Sequence, residues 1–106
     1  MLQIWLDDER DAPDYTWKVF RRAQSLMEFL VTNKEDIAVI SFDHDLGDGV
    51  PTGYDVASFI EERVAAGTMK APLSMRVHSA NPAGSRRISQ AIESIIRLDG
   101  LTSRGS

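Results

Sequence analysis

The 106-residue chain has no cysteine and only two histidines. Disulfides and thiolate zinc sites are thereby excluded, as is a three-histidine metal centre. No apolar run approaches the ~20 residues of a membrane-spanning helix. The opening MLQIWLDDER lacks the basic flank and small-residue cleavage site of a signal peptide. A cytoplasmic protein without a membrane partner is expected. There is no internal repeat, low-complexity tract or linker long enough to separate domains, and 106 residues suffice for one sheet with helices but not for two cores. A hydrophobic content of 42% with 26% charged residues places the chain among globular rather than disordered proteins.

Basic residues are scarce in the first half. Residues 1–55 hold 12 acids and 5 bases, whereas residues 56–106 hold 4 acids and 7 bases. Long-duplex binding depends on neutralising many phosphates, so an acidic surface argues against it. A small anionic ligand beside the basic half remains compatible with this balance.

What the chain does have is aspartate in two places. Asp7 and Asp8 follow the apolar run 1–6, and Asp43, Asp45 and Asp48 follow the apolar run Ile37–Phe42. Each cluster falls where a buried strand would end, and open α/β sheets bind ligands at the carboxyl ends of their strands. Unit charges ~4 Å apart repel by about 1 kcal/mol in water and about 4 kcal/mol at an effective dielectric near 20. Converging carboxylates therefore call for a proton or a cation, and Mg²⁺ or Mn²⁺ with oxygen ligands answers that need. Asp43 and Asp45 share a face if the strand continues, with His44 on the other, although the alternation can relax at a strand end. For Asp48, in a glycine-flanked turn, a local turn-capping role is the stronger expectation.

The pattern alternates strands and helices. Leu2–Leu6 reads as a first strand and Trp17–Phe20 as a short second one, both apolar with aromatic or β-branched residues. Between them, 7–16 contains Pro13 and no helical period. Parallel crossovers usually need a dozen or more residues, so the second strand is expected at an edge, its orientation open. Ser25 and Glu28 have the spacing of a capping box for a helix to about Val31. Ile37–Phe42 makes a third strand, 47–53 a loop, and Val56, Phe59, Ile60 and Val64 a helix ended by Gly67. Leu73–Val77 reads as the fourth strand. Ile88, Ile92, Ile95 and Ile96 line one face of a last helix closed by Gly100, with 1–101 as the domain and 102–106 as a disordered tail.

Leu6-Asp7-Asp8, Phe42-Asp43-His44-Asp45-Leu46-Gly47 and Val77-His78-Ser79-Ala80 together resemble the receiver domain of response regulators. More closely, LDDER-x-AP, SFDHDLGD, TGYDVA-x-x-IEE and VHSANP-x-G, in that order, are similar to the cyclic-phosphate processing receiver-like domains. The resemblance runs from Leu2 to about Ile96. It implies a reduced receiver-like (flavodoxin-like) three-layer α/β fold, with a four-stranded, mainly parallel sheet, about three helices and no fifth strand. It further implies an acid pair that holds Mg²⁺, Asp43 at the phospho-acceptor position and Ser79 as the phosphate-contacting hydroxyl. The lysine that receivers carry on the fifth strand has no counterpart, which argues against ordinary phosphotransfer.

The candidate site follows. Asp7, Asp8 and Asp43 or Asp45 are the expected metal ligands. Asp43, His44, His78 and Ser79 are the catalytic candidates, the histidines because imidazole suits acid or base work on a phosphoester near neutral pH. Alternation nevertheless sets His78 opposite Ser79, where it would only hydrogen-bond under a helix. Asn81 and Gly84 open the last helix, with Arg86 and Arg87 in its first turn, and helix N-termini present N–H groups to anions. Arg10, Arg21 and Arg22 could add two-pronged phosphate contacts. Tyr54 and Trp17 could stack on a base, though as core or rim aromatics they need no ligand. The expected activity is a metal-assisted phosphoesterase on a cyclic phosphate of a nucleotide or RNA end. The alternative is a non-catalytic module that binds a phosphorylated ligand or a protein partner.

Overall fold

The two apolar runs that precede the aspartates form the middle of a four-stranded parallel sheet. In the computed structural model, which describes residues 1–105 and the side chains of 1–101, the strands are β1 (Leu2–Leu6), β2 (Lys18–Phe20), β3 (Ile37–Phe42) and β4 (Ser74–Val77). Their order is β2-β1-β3-β4, the flavodoxin-like order without its fifth strand, and every pair is parallel. The orientation left open for β2 is thus parallel, and its place is at an edge. Because β1 pairs with β2 on one side and β3 on the other, the chain reverses direction across the sheet at β1/β3. That switch point is where such sheets open a crevice.

Register decides what each face carries. Ile4 lies beside Ile40 and Leu6 beside Phe42, all four fully buried. They share one core with Leu26 and Leu30 of α1 (Ala23–Thr32), Val56, Ile60 and Val64 of α2 (Gly53–Ala65), and Ile88 and Ile95 of α3 (Pro82–Gly105). The helices pack in sequence, α1 on α2 and α2 on α3, so all three cover this face. Gln3, Trp5 and Ser41 point to the other. There the third layer is a loop: residues 7–17 link β1 to β2 without a helix and fold back over the sheet. Gln3 donates to the Thr16 hydroxyl at 2.7 Å, and Trp17 packs edge-on against Trp5 with ring centroids 5.8 Å apart. Arg21 ties the loop down by donating to the carbonyls of Asp7 (3.0 Å) and Arg10 (2.7 Å). A parallel crossover this short is possible because it carries no helix to dock.

Several helix boundaries differ from expectation. Ser25 and Glu28 do not cap α1, which begins at Ala23 after Arg22, with Leu26 N–H already bonded to the Arg22 carbonyl. Ser25 therefore sits inside the first turn. The capping box that does form belongs to α2, between Thr52 and Asp55. Gly67, at φ 74°, takes the left-handed conformation that ends helices. Gly100 has no positive φ, and α3 runs through it to Gly105. Of the expected tail, 102–105 carries helical backbone, while Ser106 lies outside the described residues. Ile96 is 61% exposed; the buried stripe of α3 passes instead through Ile88, Ala91 and Ile95. No helix is long and apolar enough to cross a membrane among the described residues.

Candidate functional site at the carboxyl ends of β1 and β3

The ladder continues past the strands as single bonds, Asp43 N–H to the Leu6 carbonyl at 2.8 Å and His78 N–H to the Phe42 carbonyl at 2.9 Å. These bonds set Asp7, Asp43 and His78 side by side. Oxygens of Asp7, Asp8 and Asp43 lie within 4.8 Å of one another. They open onto a cleft of about 380 Å³ whose lining includes Arg10, Asp45, Asp48 and Ser79. Six carboxylates and one guanidinium face this space. A second cleft, of about 280 Å³, lies at the amino ends of the strands beside Met1, Ile37 and Met69, away from the aspartates. No other trio of metal-ligating side chains converges among the described residues.

The two central aspartates are held in opposite ways. Asp7 is 1% exposed, and burial resists its charge. Backbone N–H groups of Arg10 and Glu9, each 2.9 Å from Oδ1, together with His78 outweigh that and lower its pKa. Asp43 is pushed up, first by burial and then by the charge of Asp7, with the Ser79 hydroxyl, the His44 N–H and His78 pulling the other way. Burial and a neighbouring carboxylate both disfavour the charged form of Asp43. Three convergent oxygen donors are also the ligand type that hard divalent ions prefer, so the residues fit Mg²⁺ or Mn²⁺. Asp45 is outside this trio. Its carboxylate accepts from His44 Nδ1 at 2.9 Å and from Asn81 Nδ2 at 3.3 Å, and these contacts, His44 first, lower its pKa.

Neither histidine presents a free ring nitrogen pair to the cleft. His44 bonds Asp45 and lies under the start of α3, where a Cβ on Gly84 would run into its ring. Gly53 of α2 likewise presses on the Asp43 carbonyl. The segment that carries Asp43 is thus gripped between two helix starts. His78 has both nitrogens occupied, Nε2 by Asp7 Oδ2 at 3.0 Å and Nδ1 by the Ser41 hydroxyl at 2.7 Å. The contact expected under a helix is instead made on the loop-covered face.

The start of α3 is largely satisfied from within. Pro82 has no N–H, Gly84 N–H donates to Asn81 Oδ1 at 3.0 Å, and Ser85 N–H to the Asn81 carbonyl at 2.9 Å. Asn81 therefore acts as a helix cap. Arg86 is exposed, and Arg87 lies over the Tyr54 ring at 4.1 Å, beside a separate shallow cleft between α2 and α3. Arg21 is engaged with the loop carbonyls, Trp17 with Trp5, and Arg22 is exposed at the start of α1. Arg10 alone among the expected arginines lines the acidic cleft. Ser79 lines it too, its oxygen accepting Asn81 N–H at 3.1 Å. Sequence reasoning overlooked Trp5 and Ser41. The available signal was Ser41, a lone polar residue within an apolar strand.

An open parallel sheet in flavodoxin-like order, with acids at the ends of its two central strands, defines a receiver-like α/β domain. The chain belongs to the cyclic-phosphate processing receiver domain family, which matches residues 2–94. It is thus a receiver domain of a kind associated with cyclic-phosphate processing. Comparison with curated proteins and with solved structures returned no match.

Proposed function

We propose that the chain is a metal-assisted phosphoesterase that opens a cyclic phosphate in a nucleotide or at an RNA end. The observation that carries this reading is the convergence of Asp7, Asp8 and Asp43 on a cleft that also holds Ser79 and Arg10. Mg²⁺ or Mn²⁺ held by the three carboxylates would supply positive charge opposite the phosphate and polarise its oxygens. The Ser79 hydroxyl and the Arg10 guanidinium bind and orient the phosphate oxygens. In the net reaction water adds to phosphorus, one ring P–O bond breaks, and the departing ribose oxygen takes up a proton. The product is a phosphomonoester.

A second reading is a non-catalytic module that binds a phosphorylated ligand. It is favoured by the setting of His78, both of whose ring nitrogens are occupied, which leaves that ring no free nitrogen for acid–base work. The deciding experiment is a screen of cyclic mononucleotides and 2′,3′-cyclic RNA ends by phosphorus NMR, with and without Mg²⁺ or Mn²⁺, on the parent chain and Asp8→Ala. Metal-dependent appearance of a monoester signal, lost in Asp8→Ala, is expected. Shifted signals without turnover would establish the binding module instead.

A further inference from the structure

Asp7 has almost no freedom left, and the last constraint on it comes from a residue 71 positions away. We propose that His78 is a positioning residue that locks Asp7 as a one-oxygen ligand of the acidic cleft, with Ser41 setting the imidazole tautomer and Trp5 its plane. This inference rests on the cation site proposed above. A carboxylate has about four acceptor positions. On Asp7, Oδ1 takes the N–H groups of Glu9 and Arg10 and Oδ2 takes His78 Nε2. One position remains, on Oδ2.

The direction of each bond follows from the partners. Ionised Asp7 only accepts, so the hydrogen resides on His78 Nε2. In the neutral ring Nδ1 is then the acceptor, and the Ser41 hydroxyl donates to it. Trp5 stacks on the imidazole with centroids 3.9 Å apart and planes 4° from parallel. Ser41 makes this possible, since its small side chain on β3 leaves room for rings from β1 and the end of β4 to meet across it. Trp5 is itself fixed, because its Nε1 donates to the Arg10 carbonyl at 3.1 Å. Arg10 closes the circuit by donating from Nη1 to the His78 carbonyl at 3.1 Å. Asp7, His78, Trp5 and Arg10 thus form a ring of mutual contacts that fastens the β1–β2 loop to the end of β4. A ligand already held in place loses little rotamer freedom when a cation arrives, and partners of this kind typically affect metal affinity by about 10–100-fold.

The test is Mn²⁺ titration calorimetry on the full chain, comparing the parent with His78→Ala, His78→Gln and Ser41→Ala, each checked by circular dichroism. His78→Ala is expected to weaken binding by about 10–100-fold. His78→Gln, whose amide N–H can still reach Asp7, should recover part of it, and Ser41→Ala should show a smaller loss. Side-chain ¹⁵N NMR of the parent should show the Nε2–H tautomer for His78. Parental Mn²⁺ affinity in a folded His78→Ala, or an Nδ1–H tautomer, overturns the positioning role while leaving the cation site standing. If His78→Ala does not fold, the glutamine and Ser41 variants decide by the same affinities. Absence of Mn²⁺ binding by the parent itself overturns both.

Discussion

The two faces of the sheet are built by different means. The helix-covered face is aliphatic and aromatic throughout, with Ile4, Leu6, Ile40 and Phe42 removed from water and interlocked with side chains from all three helices. Across the same strands, the loop-covered face carries Gln3, Trp5, Ser41 and, just past β4, His78. Hydrogen bonds and ring stacking hold it together. The first arrangement is non-directional and supplies stability in proportion to the area buried. The second is directional, and it orients a charged group at the strand ends. The histidines divide along this line, His44 beneath α3 at Gly84 and His78 beneath Trp5.

The sharpest way to break the comparison is to empty one position on each face. Phe42→Ala should cost about 3–5 kcal/mol in denaturant unfolding, as full truncation of a buried aromatic does. Val19→Ala, at a 39% exposed site beside Trp5 on the edge strand, should cost about 1 kcal/mol or less. Equal losses would mean that the loop-covered face is a second core.

Gly84 tests the junction between α3 and the Asp43–His44 segment. Its added methyl would meet the His44 ring, so Gly84→Ala should destabilise the chain by about 1–3 kcal/mol, the range for overpacking. Combining it with His44→Ala should remove most of that penalty. A double variant whose losses simply add would show that the contact with His44 is not the cause.

The smallest effect concerns pH and separates the two central aspartates. Asp43 is raised in the folded state from its ordinary 3.8. As pH rises through that window the unfolded chain releases its proton first, so stability falls until the folded group also ionises. Asp7 is lowered from 3.8. Its stabilisation is present above that value and is lost as pH falls through the folded pKa. In metal-free chain, Asp43→Asn should therefore raise the unfolding midpoint at neutral pH, and the gain should shrink as the pH is brought down toward 3.8. Thermal unfolding from pH 3 to 8 measures it. A variant that is no more stable than the parent at neutral pH would show that Asp43 carries no burial or charge penalty.

Much of the fold was legible because local pattern and global fold agree. The apolar runs 1–6 and 37–42 became the central parallel strands, and the acids after them met at the switch point. Val56, Ile60 and Val64 formed the buried stripe of α2 as their spacing indicated. Helix starts were less legible. Ser25 and Glu28 had the right spacing for a box, but the backbone after Phe20 turned into helix three residues earlier, with Arg22 at the cap position. At α3, the N–H groups expected to meet phosphate are bonded largely by Asn81 itself.

By itself, the sequence determined the strand–helix alternation and the placement of aspartates at strand ends, because these depend on period and on neighbours in the chain, whereas the parallel orientation of β2 came from the tertiary structure. Only the tertiary structure decided that Asp43 rather than Asp45 joins Asp7 and Asp8, that Arg10 is the arginine facing the cleft, and that His78 serves Asp7. Those outcomes depend on which side chains reach a given oxygen first. For His78 the partners lie 71 and 37 residues distant, and no local pattern encodes which face of the sheet will bring them together.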